Sequence, residues 1–91
     1  MKLQTLGDAI DERMRSRLDS LESGALDLGV TTGELLAWLG DERLPLQSVA
    51  VGVRRYLGVD EGHYHGLCLR SQMRHIQVLI RYEHRESAEA S

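Results

Sequence analysis

Apolar residues in this chain recur at steps of three and four, and glycines or a proline punctuate the stripes. That punctuated helical period constrains the fold most, because it demands several short amphipathic helices, each burying one face. Leu3, Leu6, Ile10, Met14 and Leu18 make the first stripe, with Thr5 as N-cap and Asp8 three residues on. Leu21, Ala25 and Leu28 make a second that begins near Ser20; Gly29 follows, where a left-handed residue ends a helix at little cost. Thr31-Thr32-Gly33-Glu34 reads as a capping box opening a third helix, with Leu35, Trp38 and Leu39 inward and an end at Gly40-Asp41. Pro45 restricts Leu44 to extended backbone. Leu46, Val49, Ala50, Val53 and Leu57 then form a fourth stripe closed by Gly58. Asp60 caps a fifth helix through Tyr64, Leu67 and Cys68, weakened by Gly62 and Gly66.

Composition narrows this further. A chain of 91 residues is expected to form one domain, short for an enzyme that needs a large cleft. Hydrophobic residues at 42% support a packed core, and with aromatics at 4% that core must be filled by Leu, Val, Ile and Ala. A single cysteine excludes an internal disulfide framework. Asp8, Asp11 and Glu12 do not suit a secretory leader, and no apolar run approaches the roughly 20 residues of a membrane span. The expected setting is the cytoplasm, with no membrane partner.

Residues 75–83 fit two patterns. Ile76, Val78, Ile80 and Tyr82 alternate with His75, Gln77, Arg81 and Glu83 as in a strand, broken only by Leu79. Leu69, Met73, Ile76 and Ile80 are equally spaced for a helix face, with Val78 the misfit. Three β-branched residues and a tyrosine on one face favour the strand. The expected architecture is mainly α: a compact five-helix bundle over 1–70, a C-terminal strand or helix used for dimerisation over 71–84, and a disordered polar tail over 85–91. Either reading of the dimerisation segment leaves an apolar face or an open strand edge in want of a second copy, with Ile76, Val78, Ile80 and Tyr82 as the contact residues.

Charge is unevenly spread. Residues 1–45 carry nine acidic side chains against five basic ones, whereas 46–82 carry five arginines against Asp60 and Glu61. That mild basic bias falls short of a nucleic-acid footprint. His63, His65 and Cys68 form an HxHxxC cluster, but nothing else in the chain has partner spacing for a zinc site. Cys68 as a nucleophile would need a positioned base and a pocket. Neither a metal, a cofactor nor an enzyme activity is expected.

Residues 21–40 resemble the helix-turn-helix of the lambda-repressor-like (Cro, or XRE) family. Ala25 stands where the first helix must let the second pack closely, Gly29 stands in the turn, and Leu28 and Val30 flank it as buried anchors. Leu35 and Trp38 match the inward positions of the second helix, Trp38 to Pro45 follows the family's aromatic, glycine and proline spacing with Gly40 one place early, and Leu57-Gly58-Val59 resembles the end of its fourth helix. The resemblance covers about residues 5–70 and implies a small transcriptional regulator, repressor-like, binding double-stranded DNA as a homodimer. It places Thr31, Thr32, Gly33 and Glu34, followed by Ala37, at the major groove. Thr can meet phosphate or a thymine methyl, and Glu accepts only from cytosine N4. Arg43, in the following loop, is the expected backbone contact; Arg13, Arg15, Arg17, Arg54 and Arg55 are weaker candidates. The leading edge lacks Arg, Gln and Asn, and Leu21 stands where the family has Gln. The alternative is therefore an adaptor or anti-repressor that uses the same surface for another regulatory protein.

Overall fold

The computed structural model describes the backbone of residues 3–90 and the side chains of residues 3–77. Five helices follow in order: α1 Leu6–Arg17, α2 Leu21–Leu28, α3 Thr32–Leu39, α4 Gln47–Leu57 and α5 Glu61–Ala90. No strand occurs among the described residues.

Local chemistry sets the helix starts. Thr5 accepts from the Asp8 N–H while the Asp8 carboxylate accepts from the Thr5 N–H, a complete capping box, and Ser20 and Ser23 exchange the same pair of bonds at α2. At α3 only half of the expected box forms. Thr31 accepts from the Glu34 N–H, but the Glu34 carboxylate accepts from Trp38 and Arg43 instead. Asp60 caps α5 through the His63 N–H at 2.7 Å.

The helix ends follow expectation at Gly29 and Gly58, with φ of 71° and 69°. Two ends differ. Leu18 is not part of the buried stripe: it is the left-handed residue closing α1, φ 59°, and is 91% exposed. After α3 the left-handed residue is Asp41, φ 57°, while Gly40 sits at −88°.

The strand favoured for residues 75–83 is replaced by helix, since α5 runs unbroken through that segment. A strand needs a ladder partner for its N–H and C=O groups, and the described residues supply none. A helix satisfies those groups within itself, and this overrides the preference of β-branched side chains. Val78, Ile80, Tyr82 and the expected tail over 85–91 lie outside the residues whose side chains are described.

The core gathers Leu6, Ile10 and Met14 of α1, Ala25 and Leu28 of α2, Leu35 and Trp38 of α3, Val53 and Tyr56 of α4, and Leu67 of α5. α1 is the hub, lying against α3, α4 and α5, while α2 packs on α3 and α4. Leu46, expected inward, is 72% exposed, and Tyr56 takes a core place that the periodicity had not assigned.

One polar knot crosses this apolar body. The Asp41 carboxylate is buried and accepts four hydrogen bonds. Gly7 N–H (3.1 Å) and Ser71 Oγ (2.8 Å) reach Oδ1; Thr5 Oγ1 (2.9 Å) and Arg74 Nη1 (2.9 Å) reach Oδ2. Ser71 Oγ also accepts from the Leu6 N–H, so both hydroxyl functions are used. The knot thus joins the start of α1, the α3–α4 loop and α5. The Asp8 carboxyl is opposed by burial, but the Thr5 amide and Arg74 outweigh this and hold it below the usual carboxylate value.

Candidate nucleic-acid interface

Small residues let α2 and α3 approach. Ala25 is buried, and a side chain at Gly24 would press on Met14 Cε at 3.1 Å and Leu35 Cδ2 at 3.4 Å. The chain reverses at Gly29, and the Val30 N–H returns to the Ala25 carbonyl at 3.0 Å. α3 is consequently divided along its length. Thr31, Thr32 and Gly33 are exposed, whereas Leu35 and Trp38 are buried in the body. Ala37 is half-buried.

Glu34 links the exposed start to the core. One carboxylate oxygen accepts from the buried indole of Trp38 (Nε1, 3.0 Å) and the other from Arg43 (Nη1, 2.7 Å). Arg43 itself is 65% exposed in its side chain. The exposed guanidinium is therefore drawn back over the face of α3 rather than left to swing in the loop. An ion pair this open to water adds little stability, so its effect is to position Arg43.

Val30, Glu34, Trp38, Arg43, Leu46 and Val49 line one groove of about 400 Å³ between α3 and the beginning of α4. α4 starts at that groove without a side-chain cap, because its N-cap residue is Leu46. The Val49 and Ala50 N–H groups already donate to the Leu46 carbonyl at 2.9 and 3.0 Å, which leaves the Gln47 and Ser48 amides open to a solvent anion. Gln47 and Ser48 are exposed there.

The other sequence-nominated arginines are largely engaged with the body. Arg13 Nε donates to the Tyr56 carbonyl at 2.9 Å, and Arg15 pairs with Asp11 at 3.0 Å. Arg17 pairs with Asp19 and Asp27 and lies over the Tyr56 ring at 4.6 Å. Tyr56 donates its hydroxyl to Asp19 at 2.6 Å; burial and this carboxylate push the phenol up to about 12, while the hydrogen bond lowers Asp19. Arg54 has a buried Nε with no partner among the described residues, and Arg55 is exposed.

The HxHxxC cluster does not converge. His63 and His65, two apart on α5, cannot share a face, and both are exposed. Burial pushes the Cys68 thiol up. Of the residues nominated for dimerisation, Ile76 is 53% exposed on α5. Two features escaped sequence reasoning: the Asp41 knot, whose parts are 30 or more positions apart, and the use of Glu34 as an anchor for Arg43.

No family model matches the chain, and comparison with curated proteins and with solved structures likewise yields no match. No helix among the described residues is long and apolar enough to cross a membrane.

Proposed function

We propose that this chain is a small DNA-binding transcriptional regulator in which α2 and α3 act as a helix-turn-helix, α3 entering the major groove. The observation carrying this reading is the division of α3. Its first turn, Thr31 to Gly33, stands free beside a positioned Arg43 and the start of α4, while Leu35 and Trp38 fix the helix to the core. An element that reads base edges needs that combination of exposure and rigid support, with phosphate contacts on either side. The resemblance of residues 5–70 to lambda-repressor-like domains points the same way. In this reading Thr31, Thr32 and Gly33 approach the bases, Arg43 and the α4 amides hold phosphate, and Glu34 sets the reach of Arg43.

A second reading has an observation of its own. Leu26 and Leu36, on α2 and α3, are 81% and 54% exposed, and these helices carry Glu22, Asp27 and Glu34 without a basic residue. Apolar side chains in an acidic surround suit a protein partner, as in an adaptor or anti-repressor.

Titration against random-sequence duplex separates the two. A regulator is retained at about 50 mM salt and released as salt rises, and Arg43→Ala lowers affinity for all sequences and reduces the salt slope by about one. Absence of binding at about 50 mM salt would overturn the DNA reading in favour of the adaptor.

A further inference from the structure

α1 carries six charged side chains, and four of them are ion-paired. Asp11 meets Arg15, Arg17 meets Asp19 and Asp27, and Asp8 meets Arg74. Glu12 and Arg13 have no ion-pair partner among the described residues, and both line one cavity of about 220 Å³. The cavity lies between α1, the end of α4 and the start of α5, with Ala9, Leu57 and Leu67 as its apolar wall. None of its lining residues belongs to α2 or α3, so it is separate from the candidate nucleic-acid interface.

Neighbouring residues on a helix project about 100° apart and do not face each other, so Glu12 and Arg13 do not neutralise one another. Each is held from elsewhere. Arg13 donates through Nε to the Tyr56 carbonyl at 2.9 Å, which leaves its terminal nitrogens for another acceptor. Glu12 accepts from the Gln4 side-chain amide at Oε2, and the Gln4 carbonyl in turn accepts from Arg70. The rim therefore presents one positioned cation and one positioned anion beside an apolar wall. A few placed polar groups on an apolar surface are the make-up of a small-molecule site, and 220 Å³ lies below the roughly 300–1,000 Å³ of drug-sized pockets. Charge decides the class of occupant. A plain carboxylate would answer Arg13 and be repelled by Glu12, and a plain amine would meet the reverse. A zwitterion with a short apolar side chain satisfies both.

We infer that this cavity binds a small aliphatic amino acid, its carboxylate on Arg13, its ammonium on Glu12 and its side chain against Ala9, Leu57 and Leu67. The inference does not rest on DNA reading, and its test uses no DNA. The probe is L-leucine, titrated into the full chain and followed by amide chemical shifts. 4-Methylpentanoate and 3-methylbutylamine, the same skeleton lacking one charge each, are the comparators. L-Leucine should saturate with a Kd near about 1 mM, ordinary for so small a ligand, with shifts at Ala9, Glu12 and Leu67. Each comparator should bind at least about tenfold more weakly, because one charge-assisted contact is lost and its protein partner is left unanswered. Glu12→Gln should remove the preference for L-leucine over 4-methylpentanoate, and Arg13→Gln the preference over 3-methylbutylamine. Both side chains are exposed, so a cooperative thermal transition should persist in each variant. Arg15→Gln, on the same helix but outside the cavity, should leave the affinity unchanged. Absence of a saturable shift up to about 20 mM L-leucine would overturn the inference, as would 4-methylpentanoate binding as tightly as L-leucine. Glu12→Gln and Arg13→Gln proteins that bind L-leucine as Arg15→Gln does would refute it equally.

Discussion

Replacing Gly7 by alanine sets two physical effects against each other. Intrinsic preference favours the change, because alanine in a helix is better than glycine by at most about 1 kcal/mol. Packing opposes it. A Cβ at position 7 would sit 2.6 Å from the Leu39 carbonyl oxygen, 2.7 Å from that of Trp38 and 2.7 Å from Asp41 Oδ1. None of these is the free end of a flexible side chain: two are backbone, and the third is fixed by the polar knot. Reaching an ordinary C···O contact of about 3.3 Å requires α1 to retreat by roughly 0.6 Å. The Gly7 N–H to Asp41 bond, now 3.1 Å, would stretch beyond hydrogen-bonding range. Overpacking costs about 1–3 kcal/mol, and a buried carboxylate losing a donor about 1 kcal/mol or more. With the helix preference subtracted, the net expectation is destabilisation by about 1–3 kcal/mol, a fall in Tm of roughly 5–20 °C for a domain of this size. Gly52 on α4 supplies the contrast, since a Cβ there meets nothing within 4 Å. Gly52→Ala should stabilise by about 0.5–1 kcal/mol. Urea unfolding followed by circular dichroism, compared at constant m, measures both. A Gly7→Ala protein as stable as its parent would refute the close-approach argument, whatever Gly52→Ala does.

Two further predictions concern pH. Asp8 is held below its ordinary 3.8, so its contribution is present above that value and lost as pH falls through the lowered one; the stability gap between the parent and Arg74→Met should narrow below about pH 4, as read by acid titration of the unfolding midpoint. Tyr56, raised to about 12, contributes stability that is complete below 10 and lost as pH climbs towards 12, so the alkaline limb of the parent should fall in that window while that of Tyr56→Phe stays flatter.

The helices were legible because their signals are local. Thr5 with Asp8, Gly29, Gly58 and Asp60 each act within a turn of their own position, and the structure uses each as the sequence suggests. Leu35 and Trp38 were readable as core because helical period alone turns them inward. What failed was everything decided at a distance. The alternation of Ile76 with its neighbours is a real strand signal, but a strand exists only if another strand pairs with it. Asp41 looked like part of a stop signal, and nothing nearby announces a carboxylate gathering donors from Thr5, Gly7, Ser71 and Arg74. At the candidate interface, the exposure of Thr31 to Gly33 followed from the turn, whereas the tie from Glu34 to Arg43 depends on how the α3–α4 loop folds back.

The Asp41 knot also imposes an order in time on a chain made from its N-terminus. Thr5 and Gly7 leave the ribosome before Asp41, and the hydroxyl of Ser71 and the guanidinium of Arg74 follow it some 30 positions later. Until then the Asp41 carboxylate cannot be buried without leaving a charge short of its partners, which is more costly than leaving it in water. The start of α1 and the loop before α4 therefore have reason to stay apart until most of α5 has been synthesised. A nascent chain of this protein should acquire protease resistance late and in one step, rather than helix by helix.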